Sequence, residues 1–160
     1  MMDRLLSLLN ENARFSSKQL SVMLDMTPEE VEKKIVAYEK QGIIRGYKVL
    51  LDHEKLEEET VQAIIEVKVS PKRDLGFEDI AKRIMSYSEV DTVYLMSGGY
   101  DLLVILECRT FKDIAMFVQQ RLAALDSVLS TATHFVLVRY KEKGVILCGE
   151  DSDERRGALI

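Results

Sequence analysis

The sequence predicts an α+β protein in which a small helical domain precedes a larger domain of strands and helices. Apolar residues recur at helical spacing up to about residue 42. From Val61 onward, alternating apolar runs typical of strands are separated by two amphipathic helical stretches. A charged segment without an apolar face separates these two patterns. We therefore predict domains at residues 1–51 and 61–143, a linker at residues 52–60 and a C-terminal extension at residues 144–160.

Composition limits the class of protein. The 160 residues allow one large domain or two small ones, and an apolar content of 47% with 31% charged residues is typical of a soluble protein. No apolar run approaches the roughly 20 residues that span a membrane, and the N-terminus lacks the features of a signal peptide. Cys108 and Cys148, the only cysteines, are too few for a disulfide framework. We expect a cytoplasmic protein without membrane contact.

Charge is distributed unevenly along the chain. The net charge is −5, with 8 basic and 7 acidic residues in positions 1–50 against 14 and 20 in positions 51–160. The N-terminal part is therefore less repelled by nucleic-acid phosphates than the rest, although it carries no strongly basic patch.

Two capping boxes indicate a pair of short helices after a leucine-rich first helix. Ser16 with Gln19 begins one helix, and Thr27 with Glu30 begins the next, where Pro28 suits the first helical position. Two short helices at this separation indicate a helix-turn-helix, whose second helix enters the major groove of DNA. An ordinary helical hairpin in a globular core would give the same pattern.

A short strand is predicted directly after these helices. Gly42 suits a left-handed helix end, and residues 43–51, IIRGYKVLL, are typical of a strand that would form the wing of a winged helix-turn-helix. Arg45 and Lys48 would then face DNA phosphates. A solvent-exposed strand edge accounts equally well for both cations.

The second domain is predicted to have the ferredoxin-like order β-α-β-β-α-β. A helix is expected from Phe77 to Met85, and Thr110 with Asp113 begins another. The first and third strands are the most apolar, as the central strands of that topology should be. Strands are predicted at residues 61–69, 90–97, 102–106 and 128–140. The core stripe of the second helix is predicted as Phe111, Ile114, Ala115, Val118, Leu122 and Leu125.

One face of this sheet is predicted to lack helices. An open four-stranded sheet with helices on one face leaves its other face uncovered. Ile64, Tyr94 and Val136 make that face partly apolar, so we expect a partner chain to cover it, most simply in a two-fold dimer. Residues 144–148 are predicted as an added edge strand.

These features together resemble the Lrp/AsnC family, the feast/famine transcription regulators. The resemblance covers residues 5–141 and is carried by residues 8–14, 39–47 and 97–101, which read LLNENAR, EKQGIIRGY and SGGYD. It implies a winged helix-turn-helix domain joined to a ferredoxin-like effector (RAM) domain. It also implies a homodimer that assembles further to a tetramer or octamer, and an amino acid or similar effector bound at interfaces between the sheet domains.

Double-stranded DNA is therefore the predicted partner of the N-terminal domain. The helix that begins after Thr27 has Val31 at the centre of its buried side. Its outward face then carries Glu29, Lys33, Val36, Ala37 and Lys40. The acidic residues of this helix depart from the neutral or basic residues usual in the family. The residues predicted to contact DNA are Ser17, Thr27, Pro28, Glu29, Lys33, Lys34, Lys40, Arg45 and Lys48.

An amino-acid site is predicted at the loop of residues 98–101. Gly98 and Gly99 let the backbone approach a ligand closely because glycine has no Cβ, and Asp101 can accept a hydrogen bond from the ammonium group. A plain hairpin turn with Asp101 as its polar stop is the alternative. We expect Asp101→Ala to abolish effector binding and to leave the fold intact. The residues predicted to bind the effector are Gly98, Gly99, Tyr100, Asp101, Thr131 and Thr133, with the threonines from a neighbouring chain.

Three functions are compatible with these patterns. The first is a sequence-specific DNA-binding regulator that responds to a small effector. The second is a ligand-sensing oligomer with weak or lost DNA binding, which Glu29 and Glu32 favour. The third is an enzyme similar to the sirohaem decarboxylases, although only His53 and His134 could serve its acid/base chemistry. No catalytic constellation, metal-ligand spacing or phosphate loop is recognisable, so we predict no enzyme activity, no metal and no cofactor.

Overall fold

The computed structural model describes residues 2–56, 60–70 and 76–147. The chain divides after Leu51 into two compact units, which are described separately. Part of the predicted linker, Pro71 and most of the predicted C-terminal extension lie outside the described residues. Among the helices that are described, none is long and apolar enough to span a membrane.

The first unit consists of three helices around a small apolar core. The helices are α1 (Arg4–Glu11), α2 (Ser17–Leu24) and α3 (Pro28–Lys40). Leu5, Leu20 and Val31, one from each helix, are almost completely shielded from solvent. Half-buried apolar residues, among them Phe15 and Tyr38, pack around these three. The apolar stripes of the three short helices therefore meet in one cluster.

Both predicted capping boxes are confirmed. The Gln19 N–H donates to Ser16 Oγ at 3.2 Å, and the Ser16 N–H donates to Gln19 Oε1 at 2.9 Å. The corresponding distances for Thr27 and Glu30 are 3.2 and 2.8 Å. Asp25 ends α2 in the left-handed region, with a φ of 54°, a conformation that Asp adopts more readily than most residues. The connection from α2 to α3 therefore occupies only residues 25–27.

The end of α3 follows the prediction, but the strand after it does not form. Gly42 has a φ of 69°, and the Ile43 N–H donates to the Tyr38 carbonyl at 2.9 Å, which closes the helix. Residues 43–51 contain no strand. A strand needs a neighbour that pairs with its backbone, and the described part of this unit offers only helices. The predicted wing is therefore an irregular segment in the single chain.

The second unit is a four-stranded antiparallel sheet with helices on one face. The strand order is β2-β3-β1-β4, so the first and third strands are central, as predicted. A 3₁₀ turn (His53–Lys55) precedes the sheet, and a hairpin follows it. The elements are β1 (Val61–Val69), α4 (Phe77–Met85), β2 (Val90–Leu95), β3 (Leu102–Cys108), α5 (Phe111–Phe117), a π-helical segment (Val118–Leu122), β4 (Val128–Phe135), β5 (Lys141–Glu142) and β6 (Val145–Ile146).

Alternation along the strands separates a core face from an open face. Ile65 and Val104 are directly opposite each other on the core face and are completely buried under α4 and α5. Ile64 and Ile105 form the next pair and lie on the open face. Tyr94 of β2 lies on the same face and is 57% exposed. The open face of this unit is therefore partly apolar, in agreement with the sequence.

Several predicted strand ends differ from the observed ones: β2 ends two residues earlier, β3 ends two residues later, and the largest differences are at β4 and after it. β4 ends at Phe135 and not at Tyr140, because the Val136 N–H donates to the Gln62 carbonyl at 2.9 Å and β1 begins only one residue before Gln62. The chain beyond Val136 therefore has almost no further residues of β1 to pair with. Of the residues predicted as an added edge strand, Val145 and Ile146 pair within the β5–β6 hairpin and not with the sheet, and Cys148 lies outside the described residues.

The core stripe of α5 also differs from the predicted one. Phe111 is 56% exposed, whereas Phe117, which was not predicted as core, is buried. After Phe117 the chain continues in π-helical geometry, with the Ala123 N–H donating to the Val118 carbonyl at 2.8 Å. A π turn contains one residue more than an α turn. The extra residue shifts the helical repeat of apolar positions by one. Leu122 is nevertheless buried in the core.

Candidate functional sites

The outward face of α3 is exposed and carries charges of both signs. The helical wheel predicted this face, except for Glu32. Val36, at its centre, is 45% exposed, so the described part of the first unit leaves the face accessible to a partner. The residues that line this shallow depression are Glu29, Glu32, Lys33, Val36, Ala37 and Lys40.

The three lysines of α3 differ in their surroundings. Lys34 Nζ lies 3.5 Å from Asp3 Oδ2, the residue that caps α1. Lys33 and Lys40 are exposed and form no ion pair with any residue that the structure describes. The sequence pattern does not distinguish Lys33 from Lys34, whereas the ion pair between Lys34 and Asp3 does. Lys33 and Lys40 are therefore the cations that α3 presents on its outward face.

The other predicted contacts of this region lie at helix starts. Ser17 and Pro28 are the first residues of α2 and α3. Thr27 Oγ1 accepts a hydrogen bond from the Glu30 N–H at 3.2 Å, so this hydroxyl is part of the cap of α3. Hydrogen bonds from the Thr27 backbone and side chain lower the pKa of Glu30. Glu30 is therefore a fixed negative charge in the first turn of α3.

The irregular segment after α3 is held to the helix by a contact that sequence analysis missed. The Tyr47 hydroxyl donates to Glu39 Oε1 at 3.1 Å, and burial together with this carboxylate raises the pKa of Tyr47. Arg45 crosses Gly42 so closely that a Cβ on that glycine would lie 3.0 Å from the guanidinium carbon. Arg45 and Lys48 are both exposed. Arg45 lies near the end of α3, where a positive charge is favourable.

Asp101 connects the predicted effector loop to the end of β1. Its Oδ2 accepts a hydrogen bond from the Val69 N–H at 2.8 Å, and its own N–H donates to the Val67 carbonyl at 3.1 Å. Val69 is buried, so loss of the carboxylate would leave a shielded donor unsatisfied. Sequence analysis missed this structural role. Asp101→Ala is therefore expected to lower the stability of the fold, although the sequence alone suggested no such cost.

The two glycines of the loop face open space. A Cβ built on Gly98 or Gly99 would meet no atom within 4 Å. Gly98 has a φ of 153°, which side-chain-bearing residues rarely adopt, whereas Gly99 is outside that region. Tyr100 is half-buried beside them. The conformation of the loop needs a glycine at residue 98, but no contact with a described residue requires one at residue 99.

The two predicted threonines lie on β4 at different distances from the loop. Thr131 is opposite Val67, which also pairs with Leu102 on the other side. Thr131 therefore lies at the loop end of the sheet. Because β1 separates β4 from β3, the backbone of Thr131 is two strand spacings, roughly 10 Å, from the start of β3. Thr133 is opposite Ile65, further along the sheet. The single chain brings Thr131 to the loop end and does not bring Thr133 there.

Comparison with known proteins decides the family. Residues 62–146, more than half of the chain, match the Lrp/AsnC ligand-binding domain. The chain belongs to the Lrp/AsnC family. Relatives of this Lrp/AsnC protein include the uncharacterised HTH-type transcriptional regulator YugG of Bacillus subtilis, 41% identical over 152 residues that cover 94% of this chain and 92% of YugG. An uncharacterised HTH-type regulator of Pyrococcus furiosus is 34% identical and covers 87% of this chain and 90% of its own.

A solved structure supports the same relationship. A transcriptional regulator of Neisseria meningitidis, crystallised in complex with L-methionine, is 26% identical to this Lrp/AsnC chain. The two structures superpose with a TM-score of 0.71, and the match covers 89% of this chain and 94% of the Neisseria chain. The helices and the four-stranded antiparallel sheet are therefore an Lrp/AsnC architecture.

Proposed function

We propose that this chain is a sequence-specific DNA-binding transcriptional regulator whose DNA affinity or assembly responds to an amino acid or a related small molecule. The observation that carries the proposal is an Lrp/AsnC ligand-binding domain that follows a unit with two capped helices and a short connection. Relatives named as HTH-type regulators match across both units. A relative crystallised with L-methionine supports an amino acid as the class of effector.

In this proposal the first unit is a helix-turn-helix domain and α3 is its recognition helix. The connection at residues 25–27 has the length of a helix-turn-helix turn. Thr27, Glu29 and Lys33 lie nearest the base edges, where Glu29 can accept a hydrogen bond from cytosine N4. Ser17 and Pro28 place the N-termini of α2 and α3 at the phosphate backbone of DNA. The proposed phosphate contacts are Lys33, Lys34, Lys40, Arg45 and Lys48.

The second unit holds the effector at the loop of residues 98–101. The open space over Gly98 and Gly99 supports the close approach of a ligand or of a second chain. Asp101 accepts from the ammonium group of the effector while it also holds the end of β1. Tyr100 provides an aromatic wall. Thr131 and Thr133 act from a neighbouring chain, which requires the homo-oligomer that the open sheet face favours.

Salt dependence of DNA binding tests the recognition helix. DNA for the assay is selected from a random duplex pool with the full chain. We expect Lys33→Ala to reduce the slope of log affinity against log salt by about one, the value for one lost phosphate contact. Lys34→Ala should change it less, because Asp3 already neutralises part of that charge. Lys82→Ala, in an ion pair with Glu78 of the second unit, is the control and should change nothing. An unaltered slope for Lys33→Ala would exclude Lys33 from the phosphate contacts and contradict the proposed orientation of α3.

A second function rests on the acidic residues of α3. Glu29 and Glu32 line the outward face and repel phosphate, which favours a ligand-sensing oligomer with weak or lost DNA binding. The selection experiment separates the two functions. Failure to enrich any duplex, together with stabilisation of the chain by an amino acid, would favour the ligand-sensing oligomer.

A further inference from the structure

The second unit contains a cavity at the end of β3 that lies opposite to the effector loop. Its volume is about 360 Å³, which falls in the range of small-molecule sites. The loop precedes the first residue of β3, and the cavity lies at the last. Seven residues at about 3.4 Å each separate them by roughly 20 Å, so one amino acid cannot contact both. The residues used below from the lining are Glu89, Glu107, Cys108, Arg109, Asp113 and Arg121.

Carboxylates surround the thiol on one side of this cavity. Burial, followed by the charges of Asp113, Glu89 and Glu107, raises the pKa of Cys108. The same negative field favours a bound cation. Asp113 is already occupied, because its Oδ2 accepts from the Thr110 N–H at 3.0 Å and from the Thr110 hydroxyl at 2.7 Å. Glu89 Oε2 accepts a hydrogen bond from the Ser88 hydroxyl at 3.1 Å, so an ammonium group would bind to Oε1 of Glu89 and to Glu107.

Two guanidinium groups provide the opposite charge. The Arg121 guanidinium lies 5.3 Å from the centre of the Tyr87 ring, which fixes its position. Arg109 follows Cys108 directly and forms no ion pair with any residue that the structure describes. Guanidinium groups bind carboxylates in a two-pronged geometry. The cavity therefore offers cations for a carboxylate and anions for an ammonium, as the head group of a free amino acid requires.

Glu107 also contacts the segment that precedes the sheet. Glu107 Oε1 lies 3.4 Å from His53 Nδ1, and Thr60 Oγ1 lies 3.0 Å from the same nitrogen. The Thr60 hydroxyl and the Glu107 carboxylate therefore both lie at His53 Nδ1. His53 begins the 3₁₀ turn two residues after Leu51, where the first unit ends. An ammonium bound to Glu107 would compete with His53 for the carboxylate.

We propose that this cavity is a second small-molecule site, separate from the loop of residues 98–101, which binds the ammonium and carboxylate of a free amino acid. Arg109 and Arg121 bind the carboxylate, and Glu89 and Glu107 bind the ammonium. Occupation withdraws Glu107 from His53 and loosens the 3₁₀ turn (His53–Lys55) at the start of the second unit. This site goes beyond the proposed effector loop and does not depend on it.

Reactivity of Cys108 tests occupation directly. In the full chain carrying Cys148→Ser, Cys108 is the only thiol. Its rate of reaction with a chromogenic disulfide reagent is measured at mildly alkaline pH, with each of the common amino acids except cysteine in large excess. At least one should slow labelling about tenfold or more, because a saturating ligand leaves few free sites. Arg109→Gln should remove this protection, and Gly99→Ala in the effector loop should preserve it.

Two results would overturn the second site. One is a labelling rate that no amino acid changes. The other is protection that Gly99→Ala abolishes while Arg109→Gln retains it, because the amino acid would then act from the loop. Arg109 is exposed and is used here in place of Arg121, whose removal disturbs Tyr87.

Cleavage by trypsin tests the connection to His53. Lys55 lies in the same 3₁₀ turn, with its side chain 72% exposed. The protecting amino acid should speed cleavage after Lys55 relative to cleavage after Lys82. His53→Ala should show the fast rate without any amino acid. Equal rates for all three samples would contradict the release of His53 from Glu107.

Discussion

Asp101 holds the end of β1, and the proposed function also assigns it the ammonium group of the effector. The hydrogen bond to Val69 spans 32 positions of the chain, so no local pattern in the sequence could indicate it. The capping residues Ser16 and Thr27 were predicted correctly because each bonds to a residue only three positions away. At the scale of single residues, local contacts were therefore predictable and distant ones were not.

Two substitutions at Asp101 separate its roles. Asp101→Ala should lower the free energy of unfolding by about 1–3 kcal/mol, because the buried Val69 N–H loses its acceptor. Asp101→Asn keeps an oxygen acceptor and should lower it much less. Both variants should lose effector binding, because both lose the negative charge. Urea unfolding and calorimetry with the effector provide the measurements, and wild-type affinity in Asp101→Asn would exclude Asp101 from the ammonium site.

The elements of the chain were predictable where the apolar period is regular. The alternation of apolar and polar residues in β1 and the capping residues of α2 and α3 predicted these elements correctly. The prediction failed where geometry depends on neighbours. Residues 43–51 have strand-like composition but no strand beside them, and the π-helical turn after Phe117 changes a repeat that the sequence alone presents as α-helical. The loop glycines were evident in the sequence, but the space over them was not.

Acid should weaken the start of α3 more than the start of α2. The pKa of Glu30 is lowered by its bonds to Thr27, so its contribution is present above the unfolded-state pKa and is lost as the pH falls through the folded-state pKa. The cap of α2 uses the neutral Gln19, which does not titrate. Glu30→Gln converts the α3 cap to that neutral type.

Stability of wild type and Glu30→Gln at two pH values tests this difference. The wild type should lose more of its free energy of unfolding than Glu30→Gln between pH 7 and about pH 3, below the ordinary range of glutamate. Chemical unfolding followed by circular dichroism measures both. Equal losses would show that the ionised carboxylate adds nothing to the cap.

At the scale of the whole molecule, the open sheet face favours association. Ile64, Ile105 and Tyr94 lie together on a face opposite to the helices. The sequence indicated this face because the predicted topology places helices on one side of the sheet only, and Ile64, Tyr94 and Val136 make the other side partly apolar. The number of chains in the assembly was not predictable from the sequence, because it depends on how the surfaces of several chains fit together.

Light scattering tests association through this face. The wild-type chain at micromolar concentration should have at least twice the mass of one chain. Tyr94→Lys places a charge on this face at the edge strand β2, where Tyr94 is exposed, and should shift the chain toward monomer. Met85→Lys is the control, since Met85 is 59% exposed on α4 and lies away from the open face. A monomeric wild type would contradict the proposed association.

The central claim is that an amino acid changes DNA binding by this chain, and one titration tests it most directly. Fluorescence anisotropy measures the dissociation constant for the selected duplex and for a scrambled duplex, at fixed salt, with and without each common amino acid. We expect the selected duplex to bind on the order of a thousandfold more tightly than the scrambled one, and at least one amino acid to change that constant about fivefold or more. Equal affinity for the two duplexes, unchanged by every amino acid, would contradict the account.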